Sequence, residues 1–158
     1  MSREVHDSWR EFDADVGTIL TRVRIQLCIW DDDLTELHLE APARFEALSS
    51  FLKGHPSANL RIALRRTDHL ASEHPRLLSL LKYHGQHFQI LRVNANLERL
   101  RDILLIADGS HAVVRHEQTQ PRTTLILDDP ADTEPWRKRF EDIWAEGGSL
   151  FTPTTLGL

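Results

Sequence analysis

Apolar and polar positions divide this chain into alternating helical and extended segments. From about Trp9 to Arg22, Phe12, Val16, Ile19 and Leu20 recur at helical spacing between acidic residues, with Gly17 as a weak point in the helix. Arg22 to Trp30 alternates instead, with Val23, Ile25, Leu27 and Ile29 on one face, and reads as a strand running into Asp31-Asp32-Asp33. Ala43 to Lys53 places Phe45, Leu48, Phe51 and Leu52 on one stripe, with Pro42 before it and Gly54 after it, which is ordinary helix punctuation. Asn59 to Arg65 alternates again through Leu60, Ile62 and Leu64. Pro75 then opens a second amphipathic helix with Leu77, Leu78, Leu80 and Leu81 inward and Gly85 as its close, and Phe88 to Val93 follows as a strand.

The second half begins with a polar connector, Asn94 to Leu100. Ile103 to Ile106 is an unbroken apolar run, which suits a strand covered on both faces; Asp108-Gly109 supplies a tight reversal and Ala112-Val113-Val114 a return strand. His116 to Pro121 reads as a loop and Thr123 to Leu127 as a strand ending in Asp128-Asp129-Pro130. Thr133 is placed to cap a last helix, in which Trp136, Phe140, Ile143 and Trp144 share a face and which Gly147-Gly148 ends. Strand and helix alternate throughout, so the expected fold is a single α/β domain over residues 1–158 with a mixed, mostly parallel sheet flanked by helices.

Composition changes this picture little. With 158 residues, 41% hydrophobic and 27% charged, the chain has the size and balance of one globular domain. Its single cysteine, Cys28, excludes an intrachain disulfide, and the N-terminal stretch lacks the apolar core of a signal peptide, so a cytoplasmic protein of bacterial type with no membrane association is expected. A net charge of -5 argues against general nucleic-acid affinity, yet residues 60–101 hold 8 Lys/Arg against 3 Asp/Glu. That basic block is read either as surface balanced in space by the acidic ends, or as a site for an anion or an acidic protein partner.

The stretch Arg101 to Glu117, RDILLIADGSHAVVRHE, resembles the second part of a phospholipase D-like half-domain, in which a strand of the form HxKxxxxD ends in the motif Asp. The closing strand, Asp-Pro turn and helix ending Phe-x-x-x-Trp at Phe140 and Trp144 resemble the end of such a half. Aligned on Asp108, the resemblance puts Arg101 at the His position and Ile103 at the Lys position, and Val113-Val114-Arg115-His116 where the family has a GSxN-type element. The mechanism it implies uses the His as nucleophile on phosphorus and the Lys to stabilise the phosphoryl oxygens. Arginine stays protonated and isoleucine carries no charge, so the expectation is a degenerate, catalytically inert domain with no catalytic residue. Because active members need two halves facing one another, the resemblance also implies a homodimer.

Candidate chemistry is sparse. Arg65 closes a strand and Arg101 precedes another; if those ends meet, Arg65, Arg66 and Arg101 could grip a phosphate, and with Asp108 and His111 they form the candidate ligand-binding set. Asp31-Asp32-Asp33 invites a hard cation, but lacks the later Asp and Lys that a receiver-type acidic pocket needs, and turn formation is the preferred role. The nine histidines include no HxH or HExxH set, so no metal is expected. GxGxxG and GxxxxGK[ST] are both absent, and no cofactor is expected.

Three functions follow. The preferred one is an inert phospholipase D-like module for binding or assembly, with a protein, an anionic or phosphate-containing ligand, or nucleic acid as partner. The second is an active phosphodiesterase or nuclease using His111 or His116 as a displaced nucleophile. The third is an unrelated small α/β accessory domain.

Overall fold

The structure is a computed structural model and describes residues 1–153. Strand β1 (Ser2–His6) leads into α1 (Trp9–Arg22) through a reciprocal cap: Glu11 N–H donates to the Ser8 hydroxyl, while the Glu11 carboxylate accepts from that hydroxyl and from Asp7 N–H. α1 buries Phe12, Val16, Ile19 and Leu20, the stripe its sequence marks. Then come β2 (Gln26–Asp31), α2 (Pro42–Lys53), β3 (Asn59–Leu64), a short turn of helix α3 (Leu70–Glu73), α4 (Pro75–Tyr83) and β4 (Phe88–Val93). The hairpin β5 (Ile103–Ala107) and β6 (His111–Arg115) is followed by β7 (Thr123–Leu127), α5 (Pro130–Glu146) and β8 (Gly148–Phe151).

One eight-stranded sheet runs in the order β1-β7-β6-β5-β2-β3-β4-β8. The mixed α/β class is as the sequence reads, but the balance of pairing is corrected. Only β2–β3 and β3–β4 are parallel, and the other neighbours pair antiparallel. β2, β3 and β4 follow one another through helical crossovers and lie side by side in parallel, whereas β5, β6 and β7 turn back on one another. The edge strands, although connected through α1 and α5, lie against neighbours that run the opposite way. α1, α2 and α4 cover the face bearing Leu27, Ile29, Leu105 and Val113; α5 covers the other, with Phe140 and Ile143 against Cys28, Trp30, Leu104 and Val114.

Three further boundaries differ. The first alternating segment is a strand only from Gln26, because α1 runs to Arg22 and the Asp108 carboxylate accepts the amides of Arg24, Ile25 and Gln26. The last helix is capped by Asp129, whose side chain accepts Asp132 N–H, and Thr133 lies buried inside its first turns. Gly148 does not simply end that helix: it opens β8 at φ +156°, where a Cβ would stand 2.0 Å from the Arg92 carbonyl oxygen.

Candidate functional site

Four strand ends converge at one end of the sheet: β2 finishes at Asp31, β3 at Leu64, and β6 at Arg115, while β5 begins at Ile103. Crevices of α/β sheets form at the carboxyl ends of parallel strands, and this end holds most of the buried charge. Asp31, Arg65, Asp102 and Arg115 are 2%, 2%, 8% and 0% exposed.

On the α5 side, Asp102 is the hub. Its carboxylate accepts two hydrogen bonds from Arg139, at 2.5 and 2.9 Å, and one from Trp30 Nε1 at 3.1 Å. Burial pushes the Asp102 carboxyl up, but the bonds from Arg139 and Trp30 outweigh it and hold the group below the usual carboxylate range. The Arg65 guanidinium lies 4.3 Å over the Trp30 ring and donates to the carbonyls of Leu100 and Asp102, so it staples the connector before β5 to the end of β3. Its remaining nitrogen, Nη1, has no hydrogen-bond partner among the described residues.

The other face is built around Arg115. It pairs with Ile103 in the ladder, and its guanidinium sits 4.7 Å from the Trp9 ring and 4.4 Å from the Phe12 ring. One nitrogen donates to Glu36 and to the Gln118 carbonyl, both at 2.7 Å, tying the β2–α2 loop to the β6–β7 loop. Beside it, Asp31 accepts from Leu34 N–H at 3.0 Å but receives no hydrogen bond from either Arg65 or Arg115. Burial without a bonded cation raises its carboxyl to about 6.

In front of Asp31 lies a cleft of about 250 Å³, lined by Asp32, Asp33, Thr35, Glu36, Arg66 and Gln118 among others. Its acids are already engaged. Arg66 donates to Asp32 and Asp33, and Asp33 also accepts Thr35 N–H, so turn formation is the role the triplet performs. Among the described residues no group of three or more His, Cys, Asp or Glu is disposed to hold a metal ion. Among the described residues no helix is long and apolar enough to cross a membrane.

The ends carrying Arg65 and Arg101 do meet, since Arg65 bonds the carbonyls on either side of Arg101. The arginines of the candidate set are nevertheless committed separately: Arg65 to carbonyls, Arg66 to Asp32 and Asp33, and Arg101 to Glu117. Three cations of the basic middle block, Arg61, Arg66 and Arg101, are paired with acids from the two ends of the chain.

Asp108 and His111 lie at the opposite end of the hairpin. Asp108 holds three backbone amides of the approach to β2, and His111 Nδ1 accepts Asp128 N–H at 2.9 Å. His116 packs edge-on to Trp136, with ring centroids 5.5 Å apart. Neither histidine has a lysine in the hairpin, where none occurs from Ile103 to Arg115. Sequence reasoning missed Asp102, Arg115 and Arg139. The one pattern pointing to Arg115 is its place at the end of an otherwise inward-facing strand, HAVVR, where a charge requires a partner.

Comparison with known proteins places this geometry. A family profile described as Domain of unknown function (DUF7931) matches residues 8–151. Among solved structures, TrmBL2, an archaeal chromatin protein, superposes with a TM-score of 0.66 at 12% identity over 94% of this chain, which spans only 54% of that protein. Nuc from Salmonella typhimurium, a phospholipase D family member, matches with a TM-score of 0.63 at 15% identity over 96% of this chain and 98% of its own. NucT from Helicobacter pylori matches at 0.59 and 11% identity over 94% and 98%. No curated protein matches in sequence. The fold is phospholipase D-like.

Proposed function

We propose that this chain, which belongs to that domain family of unknown function, is a phospholipase D-like domain without hydrolytic chemistry that serves as a binding or assembly module, acting as a homodimer. The observation that carries this reading is the occupancy of the positions where nucleophile and lysine would stand. Arg101 is ion-paired to Glu117, Ile103 is fully buried, and the Arg115 guanidinium fills the space beside Ile103 between Trp9 and Phe12. A guanidinium cannot attack phosphorus at neutral pH, and a buried isoleucine cannot stabilise a phosphoryl oxygen.

The same contacts favour a macromolecular partner over a small phosphate. An anion at Arg66 or Arg101 has to displace carboxylates already bonded there, at Asp32, Asp33 and Glu117. Sedimentation equilibrium at micromolar concentration tests the assembly half of the reading: a dimer is expected, and a monomer throughout contradicts it. Isothermal titration with inorganic phosphate tests the ligand half, with no heat of binding expected at millimolar phosphate.

A further inference from the structure

The first strand and the residue after it carry a charge pattern that is antisymmetric about Val5, Arg3-Glu4-Val5-His6-Asp7. Among the described residues β1 is an edge of the sheet, paired only to β7, and Ser2 to Val5 are exposed. The main packing of α1 is over β5 and β6 and that of α5 over β2, β4, β5 and β6, while β1 meets these helices through His6 on Asp15 and Arg3 on Asp132. An open edge presents unpaired backbone donors and acceptors, the template for adding another strand.

We propose that β1 is a self-association surface, pairing antiparallel with β1 of a second copy about a two-fold axis at Val5, so that the two sheets become continuous. In that register Val5 faces the partner's Val5, Glu4 faces the partner's His6, and Arg3 faces the partner's Asp7. Directly opposed side chains lie about 5 Å apart in such a pair, close enough for each opposite-charge pair to contribute. The competing registers are worse. Centring on Glu4 opposes two glutamates and centring on Arg3 opposes two arginines, while centring on His6 sets Val5 against Asp7 and the two imidazoles against each other.

The backbone permits the longer ladder, since it stays extended at Ser8 (φ -121°, ψ 155°) before α1 turns away. The side chains concerned make only loose contacts within their own chain, Arg3 to Asp132 and Asp7 to Arg122 at 3.4 Å each on the surface. The exception is His6, whose Nδ1 is held by Asp15 at 2.7 Å, which fixes the ring. A five-residue pairing is small beside a standard interface, so the dimer is weak, closed by its two-fold axis and sensitive to salt.

This gives the proposed self-association a surface, and rests on that reading for the existence of a dimer. The test is sedimentation equilibrium of the full chain at low salt, with Val5→Lys, Arg3→Asp and the charge swap Arg3→Asp/Asp7→Arg. The expected result is a dimer whose dissociation constant rises at least about tenfold in each single variant, returning toward the original in the swap. Far-UV circular dichroism identical to the parent confirms that each variant is folded. A dimer indifferent to all three variants, and broken instead by Arg101→Glu, overturns β1 pairing while leaving assembly intact. A monomeric parent chain overturns both.

Discussion

Asp31→Asn offers a prediction whose size can be worked from the structure. Asp31 is 2% exposed at the end of β2, hydrogen-bonded to Leu34 N–H and unbonded by either neighbouring guanidinium. Its carboxyl rises from 3.8 to about 6, so the folded chain holds the Asp31 proton more tightly than the unfolded chain does. A folded value above the unfolded one contributes stability below the unfolded value and loses it as pH rises through the folded value. At about 1.4 kcal/mol for each pH unit of displacement, the loss is about 3 kcal/mol once Asp31 is fully ionised. Asparagine keeps an oxygen to accept from Leu34 and carries no charge to bury. Relative to the parent, Asp31→Asn therefore gains about 3 kcal/mol between about pH 4 and about pH 7.5, whatever its offset at low pH. Urea denaturation of both proteins across that range measures the difference, with a common m-value as the check that both unfold alike. A difference that stays flat within about 0.5 kcal/mol refutes the argument, and means that Arg65 and Arg115 compensate the buried charge.

The other predictions concern the same end of the sheet and its edge. Asp102→Ala leaves Arg139 and Trp30 Nε1 without their buried acceptor and costs about 3 kcal/mol in urea denaturation. Ile103→Lys, which places a lysine where the proposed reading aligns the family's, buries an ammonium directly opposite Arg115; it destabilises the fold by at least about 3 kcal/mol and confers no phosphodiesterase activity. Gly148→Ala forces a Cβ into the Arg92 carbonyl at a left-handed φ, so β8 detaches from β4, seen as loss of amide protection at residues 148–151 together with a drop of more than about 1 kcal/mol in stability.

Most of the fold was legible because its inner elements are apolar in the period their geometry demands. β4 and β7 fall where the runs Phe88–Val93 and Thr123–Leu127 stand, and α1 and α2 follow their stripes to within a residue. β1 and β8 escaped notice because edge strands bury little: SREVH is exposed at four of five positions, and GSLF starts at the second residue of Gly147-Gly148, a pair that reads as an ending. The cap falls at Asp129 and not at Thr133: in the sequence Asp128-Asp129-Pro130 reads as a turn closing the strand, although proline suits the first helical position. The site was less legible than the fold. Asp102 and Arg139 stand far apart in sequence, and only the packing of α5 against β5 joins them. The guanidinium of Arg115 beside Ile103 required the ladder register.

The central claim is that this phospholipase D-like domain lacks hydrolytic chemistry, and turnover of phosphodiesters tests it most directly. Purified protein is incubated with a chromogenic diester and with single- and double-stranded DNA, with and without chelator. The account predicts no release above a buffer blank in any condition. Chelator-resistant turnover that survives repurification and disappears in His111→Ala or His116→Ala would contradict it, and would place the nucleophile at a displaced histidine.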